Sequence, residues 1–109
     1  MIEIAIYRNR DNLYTGFDCM GHAEYADAGE DVVCAGVSAL VINTINSIGC
    51  FTKEKFSVGT EEESGKIVFR LEAPSEHDSY LLLQSMVLGL QGIMNQYGNE
   101  YVALDFEEV

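Results

Sequence analysis

The stretch from Asp31 to Gly49 reads DVVCAGVSALVINTINSIG and decides the fold, because it predicts one long apolar helix in a chain of only 109 residues. Asp31 stands directly before the apolar run, where a helix N-cap is expected, and Gly49 follows it, where a left-handed C-terminal residue is expected. The apolar positions cover more than one side of this helix and are Val33, Val37, Leu40, Val41, Ile42, Thr44, Ile45 and Ile48. A helix with apolar residues on several sides is expected to be covered on several sides.

Strand patterns flank this helix on its N-terminal side. Apolar and polar residues alternate from Ile2 to Tyr7 and again from Leu13 to Cys19, with a polar turn at Arg8–Asn12 between them. Alternation with a period of two is typical of half-buried strands, so a hairpin is predicted here. The segment from Met20 to Glu30 has neither period, and Gly21 and Gly29 bracket it as a loop. A long loop in so small a domain is often functional.

A second hairpin, a second helix and a last strand are predicted after the first helix. The hairpin strands are Lys55–Gly59 and Lys66–Leu71, and the acidic turn between them contains Glu61–Glu63, which we interpret as a solvated run. Ser75 is the predicted N-cap of a helix that ends at Tyr97-Gly98. Residues 100–107 alternate as a final strand. The order is ββαββαβ, which predicts one α+β domain over residues 1–109, with two apolar helices on a mostly antiparallel sheet.

Charge narrows the partners that the protein can bind. The chain has 18 acidic against 6 basic residues, a net charge of −12. Such a surface repels phosphate, which argues against direct binding of nucleic acid or anionic membranes and favours a basic partner.

The uncharged runs Val32–Thr52 and Ser79–Asn99 contain polar residues throughout, so buried helices are favoured over membrane spans.

Three cysteines, Cys19, Cys34 and Cys50, have no spacing typical of a disulfide framework or a zinc site. The first ten residues lack the apolar block of a signal peptide. We therefore expect reduced thiols in a cytoplasmic protein and no zinc site. Cys19 is expected in the sheet core, and Cys50, beyond the predicted helix end, is expected to be a poor nucleophile.

The segment around the predicted N-cap carries the candidate chemistry. With Asp31 as N-cap, Cys34 lies in the first helical turn, where backbone N–H groups and the helix dipole favour a thiolate. His22 lies at the start of the loop, which is long enough to bring an imidazole back to the sulfur. A nucleophile with an adjacent base is the arrangement of a Cys–His dyad. Ser38, one turn after Cys34, lies on the same helix face.

Structural interpretations of the same residues stand beside this one. A cysteine between Val33 and Ala35 can be a small buried hydrophobe. His22 can be a solvated loop residue, and Asp31 a plain helix cap. His77, beside two acidic neighbours at the start of the second helix, is expected to be solvated.

The breadth of the apolar surface on the first helix also predicts a homodimer. One sheet can cover only one stripe of a helix, so a second surface is needed for the rest. In a chain this short, a second copy is the simplest such surface.

The motif Gly21-His22-Ala23, followed by Gly29-x-Asp31-x-Val33-Cys34-Ala35-Gly36-Val37-Ser38-Ala39-Leu40, resembles the signature of the ribosomal-processing cysteine protease family Prp, also called YsxB-like. The chain length and the order of elements fit that family as well. The resemblance implies a homodimer without a cofactor and a dyad of His22 and Cys34, with Asp31 as supporting acid. It also implies a substrate: the N-terminal extension of large-subunit ribosomal protein L-twenty-seven, removed after an aromatic residue.

Two other functions remain open on the sequence. An acidic adaptor or assembly factor could hold basic ribosomal tails without cleaving them, which would give Cys34 no role. A thiol redox sensor would need Cys19 or Cys50 near Cys34 as a resolving partner.

Overall fold

The computed structural model describes residues 1–27 and 30–109. Its elements in chain order are β1 (Ile2–Arg8), β2 (Tyr14–Met20), α1 (Val32–Phe51), β3 (Phe56–Glu61), β4 (Lys66–Leu71), α2 (His77–Tyr97) and β5 (Val102–Glu108). One sheet holds the five strands in the order β3-β4-β2-β1-β5. Its pairs are antiparallel except for β1 and β5, which run parallel. The predicted α+β fold with a mostly antiparallel sheet is confirmed.

One face of the sheet forms the core because the strand registers place apolar residues opposite one another. Ile6 of β1 lies opposite Phe17 of β2, and Phe17 lies opposite Phe69 of β4. The rings of Phe17 and Phe69 stack with centroids 5.1 Å apart, and both side chains are fully buried. Cys19 is buried on this same face, as the alternation predicted.

The two helices cover this face as an antiparallel pair. Glycines let them approach closely: a Cβ at Gly36 of α1 would lie 3.2 Å from Ile93, and one at Gly89 of α2 would lie 2.9 Å from Leu40. The buried residues of α1 are Val33, Val37, Val41, Thr44 and Ile48. These belong to the predicted stripe, whereas Ile42 is 48% exposed and faces away from the sheet.

The structure corrects two helix ends. Gly49 does not end α1, which continues to Phe51 and is capped by Thr52. The Thr52 hydroxyl donates to the carbonyl of Ile48 at 2.7 Å, and its backbone N–H donates to the same oxygen at 3.1 Å. These two bonds satisfy a terminal carbonyl that a left-handed glycine would otherwise help to satisfy.

Ser75 is not the N-cap of α2, as the sequence had predicted, because Glu76 holds that position. The Ser75 side chain is buried and accepts a hydrogen bond from the backbone N–H of Tyr14 at 3.0 Å. The carboxylate of Glu54 accepts from the N–H of Glu76 at 2.9 Å instead. A serine at this place therefore ties α2 to β2. The predicted end of α2 at Gly98 is confirmed.

The other face of the sheet carries a polar cluster. The hydroxyl of Tyr7 donates to Asp18 at 2.8 Å, and the guanidinium of Arg70 lies 2.8 Å from the same carboxylate. Arg70 also lies 4.6 Å above the Tyr7 ring. This face is therefore held by an ion pair rather than by apolar packing.

By length and composition alone, α1 could cross a membrane, with a mean hydropathy of 1.7. In the fold, its buried stripe packs on the sheet, from Val33 at the first turn to Ile48 near the last. A core helix satisfies the same length and composition test as a membrane span.

Candidate active site

The first turn of α1 holds Cys34 in place. Asp31 is the N-cap, as predicted, and its Oδ1 accepts from the backbone N–H groups of Val33 and Cys34, each at 3.0 Å. Val33 on one side of the cysteine is fully buried, whereas Cys34 is only half-buried. The core therefore anchors the turn while Cys34 stays only partly covered.

The loop before α1 returns to the sulfur through its backbone. The N–H of Ala23 donates to Cys34 Sγ at 3.1 Å. Glu24 follows with φ +59°, in the left-handed region that is uncommon outside glycine. The N–H of Tyr25 then donates to Asp31 Oδ2 at 3.0 Å. Asp31 thus joins the loop to the start of the helix.

An aromatic cluster ties the loop to the rest of the domain. The Tyr25 ring contacts Tyr97 at the end of α2 and Tyr101 just before β5, edge to face, with centroids 5.4 and 5.1 Å apart. Such pairs contribute about 0.5–1.5 kcal/mol beyond the area that they bury. This contact sets the path of the loop around the sulfur.

His22 and Cys34 line one cavity of about 490 Å³, together with Glu24, Ala26, Asp31, Ala35 and Ser38. The structure therefore brings the two predicted dyad residues, the predicted acid and Ser38 to a single place. Within the described residues, no hydrogen bond joins the imidazole to Sγ, whose donor is Ala23. The dyad contact requires a further approach of the ring, which is common in sites without substrate.

The thiol in this state differs from the sequence expectation. Burial raises the pKa of Cys34 above its ordinary value, and the Asp31 carboxylate raises it further, while the hydrogen bond from Ala23 opposes both effects. The prediction that the helix start favours a thiolate is therefore not met in this state. The physical reason is that burial disfavours the charged thiolate, and the N-cap carboxylate beside the sulfur disfavours a second negative charge further.

Asp31 is held as a carboxylate by the backbone around it. Desolvation acts to raise the pKa of Asp31, but hydrogen bonds from the N–H groups of Cys34 and Tyr25 outweigh it and lower that pKa. Both oxygens bind backbone N–H groups, so Asp31 orients the loop and not the imidazole. The N–H of Cys34, which could otherwise stabilise an oxyanion at the sulfur, donates to Asp31 in this state.

The two predicted loop boundaries, Gly21 and Gly29, and the third cysteine, Cys50, have outcomes of their own. Gly21 has φ +97°, and a Cβ there would lie 2.4 Å from the Met1 carbonyl oxygen, so the loop needs glycine at its start. Gly29, the other predicted loop boundary, lies outside the described residues. Cys50 is exposed in the last turn of α1, inside the helix instead of beyond it, about 24 Å along the axis from Cys34.

The cysteines do not favour a redox pair. Burial raises the pKa of Cys19 to about 11, which makes it a poor resolving thiol. All three cysteines are free. Among residues 1–27 and 30–109, no group of three His, Cys, Asp or Glu side chains could hold a metal ion.

Two acidic parts of the sequence lie at unexpected places relative to the site. Asp18, which is close to the loop in the sequence, faces the opposite side of the sheet and pairs with Arg70. The turn after Glu61, by contrast, reaches the site: Gly65 lies against the ring of His22. His77 is solvated, as predicted, with its side chain 89% exposed.

Sequence reasoning missed Gly65 and Tyr25. A glycine in a hairpin turn is too common to attract notice. Tyr25 had a usable signal, since it is the one aromatic residue between Met20 and Glu30 in a run of small and acidic residues.

Comparison with known proteins supports the cysteine chemistry. The family model described as cysteine protease Prp matches residues 1–102. The ribosomal processing cysteine protease Prp of Staphylococcus aureus is 31% identical over 107 residues, which are 98% of this chain and 100% of that protein. The one of Bacillus subtilis is 30% identical over 101 residues, 89% of this chain and 90% of that protein.

A solved structure has the same fold. The crystal structure of the S. aureus protease with a covalently linked product peptide superposes with a TM-score of 0.92, at 31% identity, covering 98% of this chain and 100% of that one. The resemblance inferred from the motif around His22 and Cys34 is confirmed, and protease chemistry is favoured over the adaptor and the redox sensor. This chain belongs to the Prp family of ribosomal processing cysteine proteases.

Proposed function

We propose that this protein removes the N-terminal extension of large-subunit ribosomal protein L-twenty-seven in the cytoplasm, cleaving after an aromatic residue. Cys34 is the nucleophile and His22 the general acid and base. The observation that carries the proposal is that both residues line one open cavity of about 490 Å³, with the sulfur at the start of α1. The related S. aureus protease has been crystallised with a product peptide linked covalently to it.

The proposed reaction runs through a thioester. Cys34 Sγ, losing its proton to His22, attacks the carbonyl carbon of the aromatic residue and forms a C–S bond. The C–N bond breaks as His22 returns that proton to the leaving amine. His22 then takes a proton from water, which attacks the thioester and releases the extension and the free thiol.

Because the pKa of Cys34 is raised without substrate, we propose that substrate binding helps to deprotonate the thiol. A peptide that enters the cavity displaces the loop–sulfur contact at Ala23 and lets the ring of His22 approach. An imidazolium beside the sulfur lowers the thiol pKa, as an opposite charge does. Substrate binding then increases the fraction of Cys34 that is the attacking thiolate.

The decisive experiment incubates the protein with the unprocessed ribosomal protein and reads the new N-terminus by mass spectrometry. Wild type should release one extension, and Cys34→Ala and His22→Ala should release none while keeping the fold. Cys50→Ala, a cysteine change in the last turn of the same helix, is the matched control and should cleave at the wild-type rate. Cleavage by Cys34→Ala would refute the mechanism. Binding without cleavage by wild type would favour the adaptor.

The protein is proposed to act as a homodimer. Ile42 on α1 and Leu81 and Leu88 on α2 remain 48%, 61% and 71% exposed. Exposed apolar residues on both helices suit a second copy, because they leave water on association. Multi-angle light scattering at micromolar concentration should give twice the mass of 12.1 kDa. A monomer at that concentration would contradict the proposal.

A further inference from the structure

The turn between β3 and β4 lies directly against the imidazole of His22. Gly65, the last residue of this turn, has φ +66°. A Cβ built on it would lie 3.2 Å from His22 Cε1 and 3.5 Å from Nε2. The first distance is shorter than ordinary carbon–carbon contact, so a side chain at residue 65 would push on the ring.

The same turn also holds the backbone next to His22. The N–H of Gly21 donates to the carbonyl oxygen of Ser64 at 3.0 Å. The same hypothetical Cβ on Gly65 would lie 3.0 Å from the Gly21 carbonyl oxygen. Residues 64 and 65 therefore meet both the residue before His22 and its ring.

Within residues 1–27 and 30–109, no side chain forms a hydrogen bond with the imidazole of His22 that would set its position. The two oxygens of Asp31, which lines the same cavity, bind the backbone N–H groups of Val33, Cys34 and Tyr25. Packing against the turn therefore limits where the imidazole can lie in the cavity that it shares with Cys34.

We infer that Gly65 is a positioning residue for His22, and that the β3–β4 turn belongs to the active site although it lies more than 40 residues away in the sequence. The catalytic consequence rests on the proposed function of His22, whereas the position of the ring does not. A misplacement of about 1 Å in a reacting group can lower a rate by about 100-fold.

A purely structural role for Gly65 predicts something different. Its N–H closes the turn on the Glu62 carbonyl at 3.2 Å, and its positive φ disfavours any side chain. Gly65→Ala should therefore cost some stability under either role. Only the positioning role also moves the ring of His22 in the folded protein.

The two histidines allow the ring to be observed directly. His22 and His77 are the only histidines in the chain, and His77→Gln assigns their Cε1–H resonances in a proton NMR spectrum. In Gly65→Ala, the His22 resonance should shift and the His77 resonance should stay. The kcat for peptide cleavage should fall at least about tenfold, with KM changed less than about twofold.

Gly59→Ala is the matched control, because it changes a glycine of the same hairpin at which a Cβ would meet nothing within 4 Å. It should leave both the resonance and kcat at wild-type values. If Gly65→Ala does not fold, Gly65→Asn replaces it, since asparagine tolerates a positive φ and still places a Cβ at the ring.

An unshifted His22 resonance with a wild-type kcat per folded molecule would overturn the positioning role. The test of the positioning role and the test of the proposed function can fail independently. If wild type cleaves no ribosomal substrate, the proposed function fails, and the NMR comparison of Gly65→Ala with wild type still decides whether the turn positions the ring.

Discussion

At the scale of single residues, Asp31 has the widest effect on the site. Its carboxylate caps α1, anchors the loop at Tyr25 and acts on the sulfur of Cys34. Capping is a local property that the sequence displays, because an acidic residue precedes an apolar run. The effect on the thiol is not local, since it depends on how deeply Cys34 is buried and on where the loop returns.

Asp31→Asn keeps the helix cap and removes the charge, together with the loop anchor at Tyr25, because an amide NH2 cannot accept from the Tyr25 N–H. Asparagine caps helices about as well as aspartate, so the melting temperature should fall only by the effect of that one exposed hydrogen bond. Loss of the negative charge beside the sulfur should lower the pKa of Cys34, and iodoacetamide at pH 7 should label Cys34 several-fold faster than in wild type. Labelling is read by peptide mass spectrometry, with buried Cys19 as the internal standard for an unreactive thiol.

Asp27→Asn serves as the control, because it removes an equal charge from an exposed residue of the same loop. It should label at close to the wild-type rate. Equal or slower labelling of Cys34 in Asp31→Asn would mean that the carboxylate does not raise the pKa of the thiol.

At the scale of secondary-structure elements, the pairing of β2 with β4 leaves no space for a side chain at Gly16. Gly16 of β2 lies opposite Arg70 of β4, and a Cβ there would lie 2.3 Å from the carbonyl oxygen of Phe69. That oxygen belongs to the backbone of the central pair and cannot turn aside as a flexible side chain can. Gly16→Ala should therefore lower the free energy of unfolding by about 1–3 kcal/mol, the usual range for overpacking.

Urea unfolding measures this effect. Gly59→Ala, on edge strand β3 of the same sheet, has open space at the new methyl and should change stability by less than about 1 kcal/mol. Equal stability of the two variants would contradict the close approach of β2 and β4.

The polar face of the sheet predicts a response to acid. Desolvation acts to raise the pKa of Asp18, but the ion pair with Arg70 and the hydrogen bond from Tyr7 outweigh it and lower that pKa below its ordinary value. A lowered folded-state pKa stabilises the fold above the unfolded pKa of about 4, and the contribution is lost as the pH falls through the folded value.

Wild type should therefore lose more stability between pH 6 and pH 3 than Asp18→Asn does, as measured by urea unfolding at both pH values. The comparison of the two proteins cancels the carboxyl groups that they share. The effect should be modest, because Arg70 is 42% exposed and solvent screens the pair. An identical loss in both proteins would remove the ion pair as a contributor.

At the scale of the whole molecule, the distribution of charge favours a basic substrate. No Lys or Arg occurs between Asp11 and Thr52 or after Arg70, while Glu24 and Asp31 line the cavity. Long-range attraction raises the rate of encounter with an oppositely charged peptide and is screened by salt.

Cleavage of a lysine-rich peptide should accordingly slow as salt rises. Between about 50 and 300 mM NaCl, kcat/KM should fall several-fold, mainly through KM, because the Debye length shortens from about 13 to about 6 Å. A peptide with its lysines outside the cleavage site replaced by glutamine is the control and should show little dependence. A salt-independent kcat/KM for the basic peptide would refute electrostatic steering.

The sequence by itself determined the order of elements, the core face of each strand, the N-cap at Asp31 and the place of Cys34 in the first turn of α1. These depend on periodicity and capping, which act over a few neighbouring residues. Only the tertiary structure decided that Asp18 pairs with Arg70 on the far face of the sheet, that Ser75 bonds to β2, that burial and Asp31 raise the pKa of Cys34, and that Gly65 contacts His22. Each of these depends on residues that meet only through strand pairing, loop return or burial, and such long-range contacts leave no local pattern in the sequence.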